Sequence, residues 1–370
     1  GVAPKGERFD RESLVTDATN KLYKQTELGD FIYSSNNLET GSIGLNKYGK
    51  ATISPVYSIF KMKEGVDSDF VGRLFTRKLF INEMVKWRQG VIYGQWKIHE
   101  SDFIKIKVRN PNFPEQQKIG TLLSQIDSLI QAKTQKLESI KAVKKSLLQK
   151  CFPKDGEKVP EMRFEGFSGD WEEIQFSDCF DLLTNNTLSR DELNFSGGTV
   201  KSVHYGDVLI KFPEITDVCI EKIAYISDED IAKKYSRCLL RNGDIIIADT
   251  AEDETVGKCS EVQNCNEAVV SGLHTIPVRP KLKFAERYLG FFMNSESFHN
   301  QLIPLIQGTK VSSISKSAIE NVVVRYPIDL KEQEKIGQVF SKYNELIKLQ
   351  QKEIENLKTI KKSLLQKMFV

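Results

Sequence analysis

The chain has 370 residues, of which 40% are hydrophobic and 28% charged, and its formal net charge is +3. This length predicts two to three domains with substantial hydrophobic cores, which excludes a disulfide-stapled miniprotein, and the composition excludes bulk disorder. No apolar run reaches the roughly 18 residues that a membrane span needs, and residues 1–10 lack the apolar centre of a signal peptide. The sequence therefore predicts a cytoplasmic protein without a membrane segment.

Cysteine spacing and charge distribution limit the possible functions further. The six cysteines contain no CxxC pair, which favours reduced thiols over a disulfide framework or a zinc site. The net charge is +5 for residues 1–113, +4 for 114–159, −10 for 160–330 and +4 for 331–370. The acidic stretch argues against a simple DNA-binding surface, because affinity for DNA depends largely on phosphate neutralisation by Lys and Arg.

The chain begins with a globular unit that we expect to occupy residues 1–113. Its segments LGDFIYSS (28–35), ISPVYSIFK (53–61) and DFIKIKVRNP (102–111) have the short apolar runs of β-strands. A long helix is predicted over residues 114–152, because neither Gly nor Pro occurs in it after Gly120.

A linker rich in Pro, Gly and charge, over residues 153–160, separates this helix from a second globular unit at 161–330. In that unit NGDIIIAD, VVSGLHTIPV and NVVVRYP predict strands, while FAERYLGFFMNSESFHNQL (284–302) predicts a helix. A second long helix follows over residues 331–370. The predicted fold class is α+β, with two mixed globular units alternating with two long helices.

Both long helices show a seven-residue apolar repeat, which is typical of a coiled-coil seam. In the first helix the series is Ile119, Ile126, Ile140 and Leu147, with companions three residues later at Leu122, Leu129 and Val143. In the second the series is Ile336, Tyr343, Leu357 and Leu364, with companions Val339, Leu346 and Ile360. Polar residues interrupt both seams at the same place, Lys133 and Lys136 in one and Gln350 and Glu353 in the other, which predicts either a register-fixing contact or a solvated middle.

The two helical regions are copies of one sequence. EQQKIG at positions 115–120 recurs as EQEKIG at 332–337, and KKSLLQK at 144–150 recurs unchanged at 361–367, with the same offset in both cases. Over residues 115–152 and 332–369 the two copies agree at 18 of 38 positions without a gap. An internal repeat of this strength makes each helix the natural partner of the other.

The two globular units differ in length. In the second, a long stretch of chain separates Pro160 from Gly243, whereas the matching Gly29 lies close to the first residue of the sequence. The segment RFEGFSGDW (163–171) has no counterpart in the first unit. The comparison predicts that the front of the first unit is truncated.

This arrangement resembles the specificity subunit of type I restriction-modification systems. The resemblance lies in a proline followed shortly by EQQKIG or EQEKIG, in the KKSLLQK helix ends and in the PEMRFEGFSGDW opening of the second unit. It implies two target-recognition domains, at residues 1–113 and 161–330, that alternate with helices packed as an antiparallel coiled coil. It also implies sequence-specific recognition of a bipartite double-stranded DNA target.

The same resemblance implies the partners and the cofactors. Two methyltransferase subunits carry S-adenosylmethionine and methylate adenine, and the complex further recruits ATP-dependent restriction subunits with Mg. The chain itself is expected to hold no cofactor or metal, to have no catalytic residue and to be no enzyme. The repeated helix ends are expected to bind the modification subunits through Lys144, Lys145, Lys361 and Lys362.

DNA contacts are expected from Arg and Lys with Asn, Gln, Ser or Tyr nearby, because long cations bind phosphate or guanine and amides read adenine. In the first unit the candidates are Asn46, Lys47, Lys50, Arg77, Lys78, Arg88 and Gln95. In the second unit they are Lys201, His204, Tyr205, Lys258, Lys310, Ser312 and Ser313.

Two sets of residues could suggest catalysis. NPNF (110–113) is one residue away from an adenine-methyltransferase motif, but Asn112 stands where a second proline is required and no glycine-rich cofactor loop precedes it. The acidic residues Asp244, Asp249 and Glu254 near Lys258 suggest a metal-dependent nuclease, but the spacing from Glu254 to Lys258 is too long for the usual pair. The alternatives to the specificity subunit are a coiled-coil scaffold that does not read sequence and, less favoured, a metal-dependent endonuclease.

Overall fold

The structure is a computed structural model, and it describes residues 23–92, 95–308 and 310–369. The chain divides into two compact units: unit 1 comprises Gly1–Thr134 and Lys352–Val370, and unit 2 comprises Gln135–Gln351. Each unit therefore contains one half of each long helix. In the described part of the chain no helix is long and apolar enough to cross a membrane.

The helices and strands are numbered here in chain order. The helices are α1 (Ser68–Phe75), α2 (Lys78–Val85), α3 (Glu100–Phe103), α4 (Phe113–Lys150), α5 (Phe176–Cys179), α6 (Tyr205–Ile210), α7 (Glu229–Tyr235), α8 (Tyr288–Phe292), α9 (Glu296–Leu302), α10 (Lys316–Ile319) and α11 (Leu330–Met368). The strands of unit 1 are β1 (Lys24–Thr26), β2 (Phe31–Tyr33), β3 (Ile43–Leu45), β4 (Ala51–Ile53), β5 (Ser58–Phe60), β6 (Gln89–Ile92) and β7 (Gln95–Lys97).

The strands of unit 2 are mostly short. They are β8 (Glu172–Gln175), β9 (Phe180–Leu182), β10 (Leu193–Asn194), β11 (Lys201–Val203), β12 (Ile215–Asp217), β13 (Ala224–Ile226), β14 (Ile245–Ala248), β15 (Thr250–Ala251), β16 (Cys259–Gln263), β17 (Val269–Ser271), β18 (Thr275–Pro280), β19 (Ser312–Ser313) and β20 (Val323–Tyr326). The predicted α+β class is confirmed. The sequence predicts five parts: two globular units, two long helices and a linker. The two compact units instead each include part of both long helices, so the five-part division stays a prediction.

Unit 1 is built on an antiparallel sheet in which β2 lies between β3 and β5. Its core is aromatic: Phe31 packs edge-on against Phe75 at 5.0 Å and is stacked on Phe103 at 5.8 Å between ring centroids. Asp67 is the N-cap residue of helix α1, and its carboxylate accepts a hydrogen bond from the Phe70 amide at 2.8 Å. Such a cap satisfies an otherwise unpaired amide of the first turn and fixes where the helix starts.

Unit 2 contains a five-stranded mixed sheet in the order β12-β16-β14-β18-β9 and a four-stranded sheet in the order β10-β13-β11-β17. Every residue of the central strand β14 is buried, as expected for an apolar run covered on both faces. Strands β8 and β20 form a separate antiparallel pair next to the start of α11.

Two predicted elements of the globular units need correction. The single helix expected over residues 284–302 is two helices, α8 and α9, because Asn294 bonds outside the helix to the Cys259 carbonyl at 2.8 Å and Ser295 starts α9. The strand expected within residues 102–111 is absent from the described structure of unit 1, where residues 105–111 form neither helix nor strand. Its counterpart β20 is a strand because β8 pairs with it.

The coiled-coil seam also differs from the prediction. The buried companions lie four residues after a heptad position, not three: Leu123 follows Ile119, and Leu137 and Ile354 follow the polar positions Lys133 and Gln350, with exposed fractions of 0–7%. The predicted companions are exposed, among them Leu122, Leu129, Val143, Leu346 and Ile360 at 37–50%. Val339 is half-buried.

The two helices run antiparallel in each unit. In unit 1, Ile119 and Leu123 near the start of α4 belong to the same apolar cluster as Leu364, Leu365 and Met368 near the end of α11. In unit 2, Phe152 just after α4 is stacked on Phe340 near the start of α11, with ring centroids 6.0 Å apart.

The polar interruption of the seam contains a contact across the helix pair. Lys133 Nζ lies 2.6 Å from Glu353 Oε2 in unit 1. Lys136 is exposed, and Gln350 is 6% exposed. This ion pair is partly exposed, with 31% of the Lys133 side chain and 53% of the Glu353 side chain accessible, so the register-fixing contact and the solvated middle both stay open as alternatives.

Candidate nucleic-acid interface

A buried glutamine attaches the globular part of unit 1 to α4. Gln116 is 1% exposed; its side-chain amide donates to the Pro111 carbonyl at 2.8 Å, and its Oε1 accepts from the Asp67 amide at 3.0 Å. One turn later Gly120 lies against the same loop, since a Cβ there would be 2.8 Å from Asp67 Oδ1. The loop before α1 therefore requires both a glutamine and a glycine on the first turns of α4.

The same attachment occurs in unit 2, at the repeat counterparts of these two residues. Gln333 is 1% exposed, donates to the Pro327 carbonyl at 2.8 Å and accepts from the Ala285 amide at 2.9 Å. A Cβ at Gly337 would be 2.9 Å from the Glu286 carbonyl oxygen. We call these repeated contacts the glutamine clamp. They explain why the sequence EQQKIG recurs as EQEKIG, because each copy of the clamp attaches one mixed unit to one long helix.

The lysines predicted to bind partner subunits divide into two kinds. Lys144 lies inside unit 2, with its Nζ 2.5 Å from Glu214 Oε1 and 2.7 Å from Asn344 Oδ1. Burial alone would raise the pKa of Glu214, but the charge and hydrogen bond of Lys144 outweigh burial, and that pKa is lowered.

Lys361, the repeat counterpart of Lys144, lies 2.5 Å from Asp127 in unit 1. Asp127 occupies the position that corresponds to Asn344, so the two contacts are equivalent. Lys145 and Lys362 are exposed. These contacts account for the identity of the first lysine of KKSLLQK, whereas the second lysine of each copy is available to another protein.

Three candidates for DNA contact in unit 1, Asn46, Lys47 and Lys50, lie in the tight connection between β3 and β4. Asn46 is fully buried: its amide donates to the Gly49 carbonyl at 2.7 Å, and its Oδ1 accepts from the Tyr48 amide at 2.9 Å. It holds the turn and has no exposed atom. Lys47 is exposed with its Nζ 3.3 Å from Asp69, and Lys50 is exposed.

The remaining candidates of unit 1 are mostly engaged within the unit. The Arg77 guanidinium lies 5.4 Å from the centroid of the Phe369 ring and also donates to the Phe369 carbonyl. Arg88 makes a bidentate ion pair with Glu39 at 2.7 Å. Lys78 is exposed, and the side chain of Gln95 lies outside the described part of the chain.

In unit 2, Lys201 and His204 are buried at 6% exposure each. Lys201 donates to the Val218 carbonyl at 3.0 Å and lies 3.0 Å from Glu267. His204 caps α6, its Nδ1 accepting from the Gly206 amide at 3.2 Å. Burial, followed by the nearby Arg190 charge, lowers the pKa of His204 to about 4, so this ring is neutral near pH 7 and does not supply a positive charge to phosphate.

The acidic cluster of unit 2 is a structural network. Arg279 makes a bidentate contact with the buried Asp244 at 2.8 and 2.6 Å. Lys258 donates to the Leu209 carbonyl at 2.8 Å, and burial lowers its pKa. Among the described residues no group of three or more His, Cys, Asp or Glu side chains is placed to hold a metal ion.

An exposed polar surface surrounds the end of β14. Strand β19, which contains Ser312 and Ser313, pairs with β15 directly after Asp249, and Lys310 is exposed beside it. The neighbouring Thr309 lies outside the described residues. Tyr205 is half-buried on the same side, 5.3 Å from the ring of His274.

Sequence reasoning missed part of this surface. His274, at a φ of +54°, lies 3.4 Å from Asp249, and Lys316 donates to Asn185 at 3.3 Å. The contact between Lys316 and Asn185 spans 131 residues, so no local sequence pattern indicates it. We call Tyr205, His274, Lys310, Ser313 and Lys316 the β14-end surface.

Comparison with known families identifies the chain. Residues 11–142 and 168–359 match the family described as type I restriction modification DNA specificity domain. The chain belongs to this family. Its identification as a type I specificity subunit is confirmed, and so is the prediction that it is not an enzyme, because the specificity subunit is the non-catalytic component of these systems.

Relatives and solved structures agree with this family. The specificity subunit of the type I restriction enzyme MjaVIII from Methanocaldococcus jannaschii is 22% identical over 325 residues, covering 83% of this chain and 74% of that protein. The MjaIX specificity subunit of the same organism is 23% identical over 382 residues, covering 98% and 81%.

Two solved structures share the fold of this specificity subunit. The S subunit of the type I restriction-modification system from M. genitalium has a TM-score of 0.58 and 13% identity, covering 94% of this chain and 84% of that one. A chain from a study of complex assembly and conformational transition of the type I R-M system has a TM-score of 0.56 and 17% identity, covering 95% and 84%. Both confirm the predicted mixed domains and long helices.

Proposed function

We propose that this specificity subunit reads a bipartite double-stranded DNA target, with one mixed unit for each half, and recruits two modification subunits. The glutamine clamp carries this proposal. Because the same buried Gln and close-contact Gly attach a mixed unit to each long helix, the chain has two equivalent reading units rather than one unit and a tail. A scaffold that does not read sequence has no use for this duplication.

The charge distribution fits a subunit that reads DNA together with partners. Residues 160–330 carry a net charge of −10, so the second unit cannot supply much phosphate neutralisation by itself. The β14-end surface nevertheless presents exposed Lys310 and Lys316 beside hydroxyl, imidazole and phenol groups. In this proposal the modification subunits supply most phosphate contacts and carry the cofactors, while the exposed loops of this chain read bases.

The DNA contacts are assigned to those predicted residues whose side chains reach the surface. In unit 1 these are Lys50 and Lys78, with Lys47 as an exposed but paired cation. In unit 2 they are Lys310, Ser313 and Tyr205. Buried Asn46, Lys201 and His204 support the loops from inside, and their predicted DNA contacts stay predictions.

Lys310→Ala tests the β14-end surface. We expect weaker binding of specific DNA by the assembled methyltransferase complex and a salt slope of the binding constant smaller in magnitude by about 1, because one phosphate contact is lost. The matched control is Lys136→Ala, which removes another exposed lysine, from the helix pair, and should change neither quantity. Equal binding and an unchanged salt slope for Lys310→Ala would remove that loop from the interface.

Recruitment of the modification subunits is tested at the second lysine of each KKSLLQK copy. Lys145 and Lys362 are exposed, so replacing both with Glu reverses two surface charges. This double variant should assemble less with the modification subunits on a sizing column. Its helical circular dichroism should be unchanged. Lys141, an exposed α4 lysine paired with Glu138, provides the control substitution. Normal assembly of the double variant would exclude these helix ends as the binding surface.

A further inference from the structure

Two of the six cysteines follow neighbouring strands at one end of the five-stranded sheet in unit 2. Strands β12 and β16 are parallel, and their last aligned residues are Asp217 and Gln263. The Val218 amide donates to the Gln263 carbonyl at 3.0 Å, so the pairing continues past the end of β12. Extended by two residues on each strand, the same alignment pairs Cys219 with Cys265.

The Cys219 sulfur contacts the segment that contains Cys265. The thiol donates to the Asn264 carbonyl at 3.2 Å, and the Asn266 side-chain amide donates to the sulfur at 3.7 Å. The residues before and after Cys265 therefore both touch Cys219. A disulfide joins residues whose Cα atoms lie about 4.4–6.8 Å apart, and a thiol held against both chain neighbours of a cysteine is within that reach.

Hydrogen bonds hold both cysteine segments in place. The Asn264 side chain donates to the Asp217 carboxylate at 2.6 Å, and the other oxygen of that carboxylate accepts from the Cys219 amide at 2.9 Å. The Cys265 amide donates to the Asn242 side chain at 2.9 Å. Because folding has already restricted these segments, little further chain entropy is lost when the two sulfurs join.

The two thiols differ in accessibility. Cys219 is exposed and Cys265 is half-buried, and both are free thiols in the structure. Burial, followed by nearby negative charges that include Cys219 itself, raises the pKa of Cys265 to about 11. A dissolved oxidant therefore reaches Cys219 first, and Cys265 reacts second, slowly near pH 7 because little of it is thiolate.

We propose that Cys219 and Cys265 are a redox-sensitive pair that forms a disulfide within unit 2 on exposure to a small disulfide oxidant such as glutathione disulfide. The Cys219 thiolate attacks one sulfur of the oxidant, which releases one glutathione and leaves a mixed disulfide. The Cys265 thiolate then attacks the Cys219 sulfur and releases the second glutathione. The two protein thiols lose two electrons and two protons, which the oxidant takes up as two molecules of glutathione.

The disulfide would stabilise unit 2 and leave the β14-end surface free. It closes a loop that contains β13, α7, β14 and β16, so it restricts the unfolded chain. Asn242, which binds the Cys265 amide, precedes β14, whereas the β14-end surface lies at the other end of that strand. In a reducing compartment the pair stays as two thiols. The inference holds whether or not the unit reads DNA.

The test uses the full chain, oxidised with glutathione disulfide in the folded state and then digested, without reductant, by a protease that cleaves after Glu. This digestion places Cys219 in the peptide 215–221 and Cys265 in the peptide 262–267, separate from Cys259. We expect these two peptides to be joined, with a mass lower than their sum by two hydrogen atoms, and to separate after treatment with dithiothreitol. Recovery of Cys219 only as the mixed disulfide with glutathione, or joined to another cysteine, would overturn the proposal.

Serine variants make the test specific for this pair. Cys219→Ser and Cys265→Ser should each abolish the joined peptides, whereas Cys238→Ser, which removes the other half-buried thiol, should leave them unchanged. The oxidised parent should unfold at a higher urea concentration than the reduced parent, and this shift should be absent from Cys219→Ser and Cys265→Ser. Oxidation of the urea-unfolded chain should give mixed pairings. The same selectivity with and without urea would show that the fold does not bring these thiols together, which would contradict the proposal.

Discussion

Burial separates the candidate DNA-binding residues into two groups that their residue types do not distinguish. Lys201 and Lys310 are both lysines near polar neighbours, but Lys201 donates to a buried carbonyl whereas Lys310 is exposed. The side-chain amide of Asn46 likewise donates to a carbonyl within a turn and is not available to DNA. Residue type and spacing predicted plausible contacts, but the burial of each side chain depends on strands distant in sequence and could not be predicted.

His204 gives a pH-dependent prediction at this scale. Its pKa in the folded protein is about 4, lowered from 6.5 by burial and by the Arg190 charge; Asp207 acts in the opposite direction, and His274 and Lys211 lower it further. Between pH 4 and 6.5 the unfolded chain therefore binds more protons at this residue, and its contribution to stability is complete above pH 6.5 and decreases as the pH falls towards 4.

The variant His204→Asn should isolate this effect, because asparagine also caps helices but does not titrate. We expect the free energy of unfolding of the parent, relative to the variant, to fall by on the order of 1 to 3 kcal/mol from pH 6.5 to pH 4. Glu261, whose pKa burial raises to about 7, titrates in both proteins and cancels in the difference. Parallel stability profiles from urea unfolding would show that His204 is not buried as a neutral ring.

At the scale of elements, the long helices were predictable because the seven-residue repeat of apolar residues can be seen in each helix alone. Which companion residues form the seam could not be predicted from that repeat. Leu122 and Leu123 are both apolar neighbours, so a companion three or four residues after Ile119 fits equally well. Further along, the sequence misleads: Val143 is exposed, whereas Lys144 lies in the seam because it reaches Glu214 and Asn344. A lysine at this place is explained by its polar partners, which lie on the other helix and, for Lys144, also on the globular part of unit 2.

Two adjacent leucines test the corrected seam. Leu123→Ala should lower the free energy of unfolding by about 2 to 4 kcal/mol, since this side chain is fully buried against the end of α11. Leu122→Ala, at 37% exposure, should cost less than about 1 kcal/mol. Chemical denaturation of both variants measures the difference, and a larger loss for Leu122→Ala would restore the seam predicted from sequence.

The same limit applies to the strand expected at residues 102–111. Its sequence resembles that of β20, but β20 is a strand because β8 pairs with it. The described residues of unit 1 provide no such partner, so residues 105–111 stay without regular structure. Sequence similarity predicts the preference of a segment, whereas a strand also requires a neighbour.

For the whole molecule, the internal repeat of the long helices is the feature of the sequence that the structure reproduces most closely, as repeated contacts. It relates the glutamine clamps, and it relates the contact of Lys144 with Asn344 to that of Lys361 with Asp127. The uneven charge was also evident from sequence. The sequence could not predict that Lys144 and Lys361 would be held in contacts within the units while Lys145 and Lys362 stay exposed.

In the function proposed above, this specificity subunit directs modification to two half-sites, and we propose that its helices set the separation between them. The most direct measurement is adenine methylation, by the assembled complex, of a DNA library in which the spacer between half-sites varies in length. It compares the parent with a variant that has one heptad inserted beside Lys136 and one beside Glu353, which preserves the seam and adds about 10 Å of helix. That length corresponds to roughly three base pairs and about a quarter turn of the duplex.

We expect the parent to modify targets of one spacer length only. The lengthened protein should lose modification at that length and either prefer a spacer longer by about three base pairs or fail to engage both half-sites. Undiminished modification at the parental spacing by the lengthened protein, or modification by the parent regardless of spacer, would show that the helices do not set this separation.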